Sequence, residues 1–187
     1  MKKTALILLD FQNGILDSHF QDQKADYLSR ASTTINKARQ VGIHIIHVKT
    51  SFRPGHPDIS KRNRMLAQVV ANGVFVEGDA TVAIAQEVTP AEHDIVVTKR
   101  RVSAFSGSDL DIVLRSLEVD TLILAGVATS GAVLSTACQA ADLDFHLIIL
   151  GDLCLDPDDE VHRVLVEKVF PRQGRTLSVE EWLKEIN

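Results

Sequence analysis

Five short apolar runs, at residues 4–9, 42–48, 94–98, 121–125 and 145–150, constrain the fold of this chain more than any other feature. Each is rich in Ile, Leu and Val and lacks alternation, the pattern of strands buried on both faces of a parallel sheet. Between them, apolar residues recur at helical spacing over 26–39, 108–117, 130–143 and 158–169. Parallel strands need long crossovers and helices supply them, so the alternation predicts an α/β fold. Acidic and hydroxyl residues mark helix starts at Ser106-Gly107-Ser108-Asp109 and at Asp156-Pro157-Asp158-Asp159. Residues 50–63, with Arg53-Pro54-Gly55-His56-Pro57, show no periodicity and are long enough for a functional loop or lid.

Composition narrows the class. The 187 residues are 45% hydrophobic and 24% charged, without repeats, low-complexity tracts or a linker, so one domain over 1–187 is expected. A chain of this size buries roughly 70% of its unfolded surface and needs neither disulfides nor metal for stability. A net charge of −5 without a basic stripe argues against a nucleic-acid partner. Cys138 and Cys154 lack C-x-x-C spacing, which points to the cytoplasm. The run that starts near Met1 imitates a signal peptide until Asp10 interrupts it, and no apolar stretch approaches the ~20 residues of a membrane span.

Ligands of open parallel sheets bind outside the carboxyl ends of the strands, so the residues closing each run matter most. The first run ends in Asp10, the third in Lys99-Arg100-Arg101, and the fourth in Gly126-Val127-Ala128-Thr129-Ser130-Gly131 leading into a helix. Singly, these read as a cap, a solvated rim and a tight turn. Together they offer a carboxylate, an ammonium and a helix start whose amides stabilise developing negative charge. Residues 126–131 form neither a phosphate loop nor G-x-G-x-x-G, no G-x-S-x-G elbow occurs, and the seven histidines show no metal-ligand spacing.

The stretches Ala5-Leu6-Ile7-Leu8-Leu9-Asp10-Phe11-Gln12, Lys99-Arg100-Arg101-Val102-Ser103-Ala104-Phe105 and Gly126-Val127-Ala128-Thr129 running on to Val133-Leu134-Ser135-Thr136-Ala137 carry a resemblance. In this order they resemble the isochorismatase-like hydrolase family, which also contains nicotinamidases and N-carbamoyl amidohydrolases, over nearly the whole chain. The resemblance implies a three-layer α/β/α sandwich with a mostly parallel, roughly six-stranded sheet, a small-molecule substrate and a homo-dimer or tetramer. It makes Asp10 and Lys99 the first two members of an Asp-Lys-Cys triad, but the position of the thiol is Ala132. It also implies a cis peptide at Val127–Ala128 and an oxyanion pocket from the amides of Ala128 and Ala132. The metal motif of nicotinamidases is replaced by Thr50-Ser51-Phe52, so neither metal nor another cofactor is expected.

A methyl group is no nucleophile, which disfavours thiol-based amide hydrolysis. Cys138 lies six residues beyond position 132, rotated by about 120° and about 9 Å along the helix; Cys154, near the end of the fifth run, is read as structural. Isochorismatases that cleave a vinyl ether also lack this cysteine, and there the aspartate is thought to act as an acid. A nearby ammonium favours the carboxylate of Asp10, whereas a pocket of Phe11, Phe52 and Phe105 favours its protonated form, so acid and base both stay open. Arg53, with Arg100 and Arg101, is a candidate clamp for a substrate carboxylate, and His56 shares its loop. The expected function is a hydrolase of a small anionic metabolite with Asp10 as acid or base, Lys99 as its charge partner, and Phe11, Arg53, His56, Phe105, Val127, Ala128, Thr129 and Ser130 at the substrate. The alternatives are a catalytically silent metabolite-binding protein and a thiol hydrolase in which alanine replaces the cysteine at position 132.

Overall fold

Six strands lie in one wholly parallel sheet: β1 (Thr4–Leu9), β2 (His44–Thr50), β3 (Ile95–Lys99), β4 (Thr121–Val127), β5 (His146–Leu155) and β6 (Arg175–Leu177). A computed structural model describes residues 3–186. The strand order is β3-β2-β1-β4-β5-β6, so the winding reverses between β1 and β4. The helices are α1 (Asn13–His19), α2 (Lys24–Gln40), α3 (Ala67–Asn72), α4 (Leu110–Ser116), α5 (Leu134–Asp142), α6 (Asp159–Val164) and α7 (Val179–Ile186).

The two faces of the sheet take alternate residues, as the twofold period of a strand requires. Ala5, Ile7 and Leu9 of β1, with Leu122 and Leu124 of β4, pack against Leu110 and Leu114 of α4 and Ala137 and Ala140 of α5. Leu6 and Leu8, with Ile123 and Ala125, pack against Tyr27, Leu28, Ala31 and Ile35 of α2 and Trp182 of α7. Both faces are dry, which is why the runs show no polar alternation. The expected three-layer sandwich and six-stranded sheet are observed.

Differences lie at the ends of elements. The helix expected over 130–143 opens with a wider π turn at Thr129–Val133 before α5, and that over 158–169 is α6 followed by a second π turn at Leu165–Val169. Asp158 caps α6 as its sequence suggests, accepting from the amides of Glu160 and Val161. The loop beginning at residue 51 extends well past 63, carrying only α3 and two short 3-10 turns before β3. Its ends are tied down: the amide of Phe52 donates to the Phe75 carbonyl, and that of Glu77 to Phe52.

Candidate active site

The site forms where the winding reverses, at the carboxyl ends of β1, β3 and β4, the place where open α/β sheets bind ligands. Asp10 follows β1 in the left-handed region, with φ of 57°, a conformation that Asp adopts more readily than most residues. Its amide donates to the Val48 carbonyl at 2.8 Å, continuing the ladder to β2 while the side chain turns over the sheet end.

Asp10 and Lys99, both buried, meet: Lys99 Nζ lies 2.8 Å from Asp10 Oδ2. Thr50, the last residue of β2, joins them. Lys99 Nζ donates to Thr50 Oγ1 at 2.7 Å, and the same hydroxyl donates to Asp10 Oδ1 at 2.9 Å. A third Lys99 bond runs to the Arg101 carbonyl at 3.3 Å, so every ammonium hydrogen has an acceptor. Thr50 itself is fixed by the buried Gln12, whose Oε1 accepts from the Thr50 amide at 2.6 Å while its Nε2 donates to the carbonyls of Thr50 and Val82 at 2.9 and 3.1 Å.

The third wall comes from the end of β4. The peptide between Val127 and Ala128 is cis. Gly126, with φ of 143°, passes so close to β1 that a Cβ would sit 2.1 Å from the Leu9 carbonyl oxygen, so only glycine fits there. The amides of Gly131 and Val133 both donate to the Ala128 carbonyl, and Ser130 donates its amide to Asp156 Oδ2 at 2.6 Å, which fixes the turn. A cavity of about 140 Å³ opens between these walls. Asp10, Lys99, Thr50, Phe52, Val127, Ala128 and Ala132 line it, together with Ile15, Leu66, Arg101 and Val102.

Of the residues singled out from sequence, Asp10, Lys99, Val127, Ala128 and Ala132 therefore come together. Phe52 and Arg101 join them in the lining, while Phe11, Phe105, Arg53, His56, Thr129 and Ser130 lie outside it. Phe11 turns into the α2 layer and stacks on Tyr27, with ring centroids 5.1 Å apart. Phe105 joins the opposite layer against Phe145. Arg53 is exposed and paired with Asp58, while His56 is buried in its own loop, 3.0 Å through Nε2 from the Val74 carbonyl. Thr129 is buried, sharing a 2.8 Å hydrogen bond with His162 Nδ1, and the Ser130 side chain is exposed.

The segment after Lys99 docks on α5: the Ala104 amide donates to Thr136 Oγ1 at 3.0 Å and Ser103 Oγ to Gln139 Oε1 at 2.7 Å. Neither cysteine lines this cavity. Cys154 is buried on β5 with its thiol pushed up to about 12 by desolvation, and Cys138 is exposed beside Gln173. Sequence reasoning passes over Thr50, because Thr50-Ser51-Phe52 is weighed only for the metal motif it lacks. The usable signal is position, a hydroxyl closing the second strand as Asp10 closes the first.

A sequence profile of the Isochorismatase domain matches residues 4–181. The chain is 32% identical over 185 residues to the uncharacterized isochorismatase family protein YwoC of Bacillus subtilis (strain 168), covering 99% of this chain and 95% of that protein. It is 22% identical over 188 residues to the maleamate amidohydrolase of Pseudomonas putida, covering 99% and 87%. Among solved structures, a cysteine hydrolase from Pseudomonas syringae pv. phaseolicola 1448A superposes with a TM-score of 0.87 at 22% identity, over 98% of this chain and 92% of that one. Among the described residues no helix is long and apolar enough to cross a membrane, and no group of three His, Cys, Asp or Glu side chains is placed to hold a metal ion.

Proposed function

The chain belongs to the isochorismatase family, and from that premise we propose that it hydrolyses a small anionic metabolite, with Asp10 moving the proton and no thiol taking part. The carrying observation is the triangle of the buried Asp10 and Lys99 with the half-buried Thr50, in the cavity that Ala132 and Ala128 also line. Lys99 donates to one carboxylate oxygen and Thr50 to the other, which orients Asp10 as a proton acceptor. A carboxylate has about four acceptor sites, so capacity remains for a proton from the cavity.

In this reading Asp10 works as a base. It takes a proton from a water that attacks the substrate carbonyl, and the carbonyl oxygen gains negative charge toward the amides of Ala128 and Ala132. The adduct then collapses as Asp10 returns the proton to the leaving group. Lys99 stays protonated and neutralises the site throughout. Thr50 keeps the carboxylate from rotating, and Ala132 leaves room where a thiol would stand. We extend the proposal to one catalytic domain over 1–187, acting as a homo-oligomer in the cytoplasm.

The test is a panel of small amides, carbamoyl compounds and vinyl ethers assayed with the wild type and Asp10→Asn. Turnover of an amide or carbamoyl compound, lowered about 10²–10⁴-fold by the substitution, is expected, whereas turnover of the vinyl ether alone makes Asp10 an acid and overturns its role as base. Turnover indifferent to Asp10→Asn overturns the mechanism, and tight binding with no turnover makes the protein a metabolite-binding protein instead.

A further inference from the structure

The cavity over Asp10 is small, about 140 Å³ against the ~300–1,000 Å³ of sites that enclose drug-sized ligands, so it suits the scissile end of a small substrate. The exposed Arg101 lines it and also lines a second, shallower depression of about 570 Å³, formed with Pro57, Asp58, Arg100, Ser106 and Gly107, which makes the two hollows neighbours.

The charges around this depression do not balance. Arg53 is held by Asp58, Arg100 by Glu77 and Asp58, and Lys99 by Asp10. Burial alone would raise the Asp58 carboxyl, but hydrogen bonds from Arg53 and the charges of Arg53 and Arg100 hold it below its ordinary range, so it stays ionised. Of the charged residues that line the depression, two guanidiniums, Arg100 and Arg101, stand against the one carboxylate of Asp58, and the unmatched cation is Arg101. It is exposed, it has no carboxylate partner among the described residues, and its guanidinium donates only to the Arg100 carbonyl. Beside it, Arg100 Nε has no hydrogen-bond acceptor, with Asp58 Oδ2 3.6 Å away. Arg100 is thus turned to its carboxylates, and the exposed guanidinium of Arg101, with four of its five N–H donors unused, is the group free to take a carboxylate in a fork. The Arg101 carbonyl accepts from Lys99 Nζ, which fixes this hollow relative to the reacting pair.

We propose that the depression beside the reacting cavity is the subsite for a substrate carboxylate, and that Arg101 is the residue that selects it. The substrate is then a small acid with its scissile bond at one end and its carboxylate at the other. The excess positive charge also draws anions to the mouth of a protein whose net charge is −5. The inference rests on the hydrolase reading above for the reacting end, but the carboxylate subsite can be tested without turnover.

The experiment compares maleamate with its methyl ester as substrates of the wild type, Arg101→Met and Arg101→Lys, and measures maleate binding to each by calorimetry, with inorganic phosphate as a second probe. The wild type is expected to favour the acid in kcat/KM, and Arg101→Met to cut that preference and the maleate affinity by about tenfold or more. Arg101→Lys restores part of both, since a point charge replaces a fork. Arg115→Met, which removes an exposed arginine paired with Asp111, controls for net charge and leaves the preference in place. An acid preference or maleate affinity that survives Arg101→Met overturns the assignment. So does phosphate binding more tightly than maleate. If neither substrate is turned over, the hydrolase reading fails for that pair while maleate binding still decides the subsite.

Discussion

At position 132 a methyl group stands 4% exposed among Asp10, Lys99 and Ala128, where the family resemblance expects sulfur. The surroundings still suit a thiolate, because an ammonium nearby favours the charged form of a thiol. Ala132→Cys is therefore expected to create a reactive site without disturbing the fold, as sulfur adds little volume at a cavity wall. Treating both proteins with iodoacetamide and weighing them by mass spectrometry checks this. The wild type should carry one adduct, on the exposed Cys138, since Cys154 is buried with its thiol at about 12. The variant should gain a second adduct at position 132, faster than the first. A residue 132 that stays unmodified would show that Lys99 does not activate this position.

At the level of elements, the segment after β3 is held at its start by the loop, through Arg100 on Asp58 and Glu77, and further on by α5. Thr136 is fully buried and its hydroxyl takes the Ala104 amide. Thr136→Val keeps the shape but strands that amide, which should cost about 1–3 kcal/mol in chemical denaturation. Because Lys99 lies five residues upstream, activity should fall along with stability; unchanged stability would mean that the segment finds another anchor. The sequence makes this element readable up to a point. Asp10 and Lys99 can be placed because strand ends of a parallel sheet share one edge, and the dry runs identify those ends. Thr50 escapes because the second apolar run stops two residues before it, and the short β6 because it carries no such run: Arg175–Leu177 is three residues with a charged start. Phe11 and Arg53 look like site residues by proximity in the chain. Their actual directions depend on packing against Tyr27 and pairing with Asp58, which local pattern does not encode.

Across the whole molecule, acid stability should be governed away from the Asp10–Lys99 pair. His47 is buried within β2, and desolvation lowers its pKa despite Asp94 Oδ2 at 3.5 Å. The unfolded chain therefore binds a proton that the fold refuses, and stability is lost as pH falls below the usual histidine value of about 6.5. Asp94 adds a second loss at lower pH. Its burial would raise its carboxyl, but hydrogen bonds from Arg39 and the Ala91 amide hold it below the ordinary value, so its contribution fades as pH drops through the carboxylate range. Thermal midpoints between about pH 7 and pH 5 check the first loss. His47→Gln, neutral throughout, should flatten that slope and leave the lower step; an unchanged slope would place the sensitive group elsewhere.

The contact between Gly126 and the Leu9 carbonyl has a consequence for how such a protein can diversify. The residue before Asp10 and the residue before the cis peptide lock together with no space for a side chain, so the two move as one piece. New preferences for one guest over another have to be written on the opposite bank, along the stretch from 51 to 94 and around Arg101, where the chain has room to change.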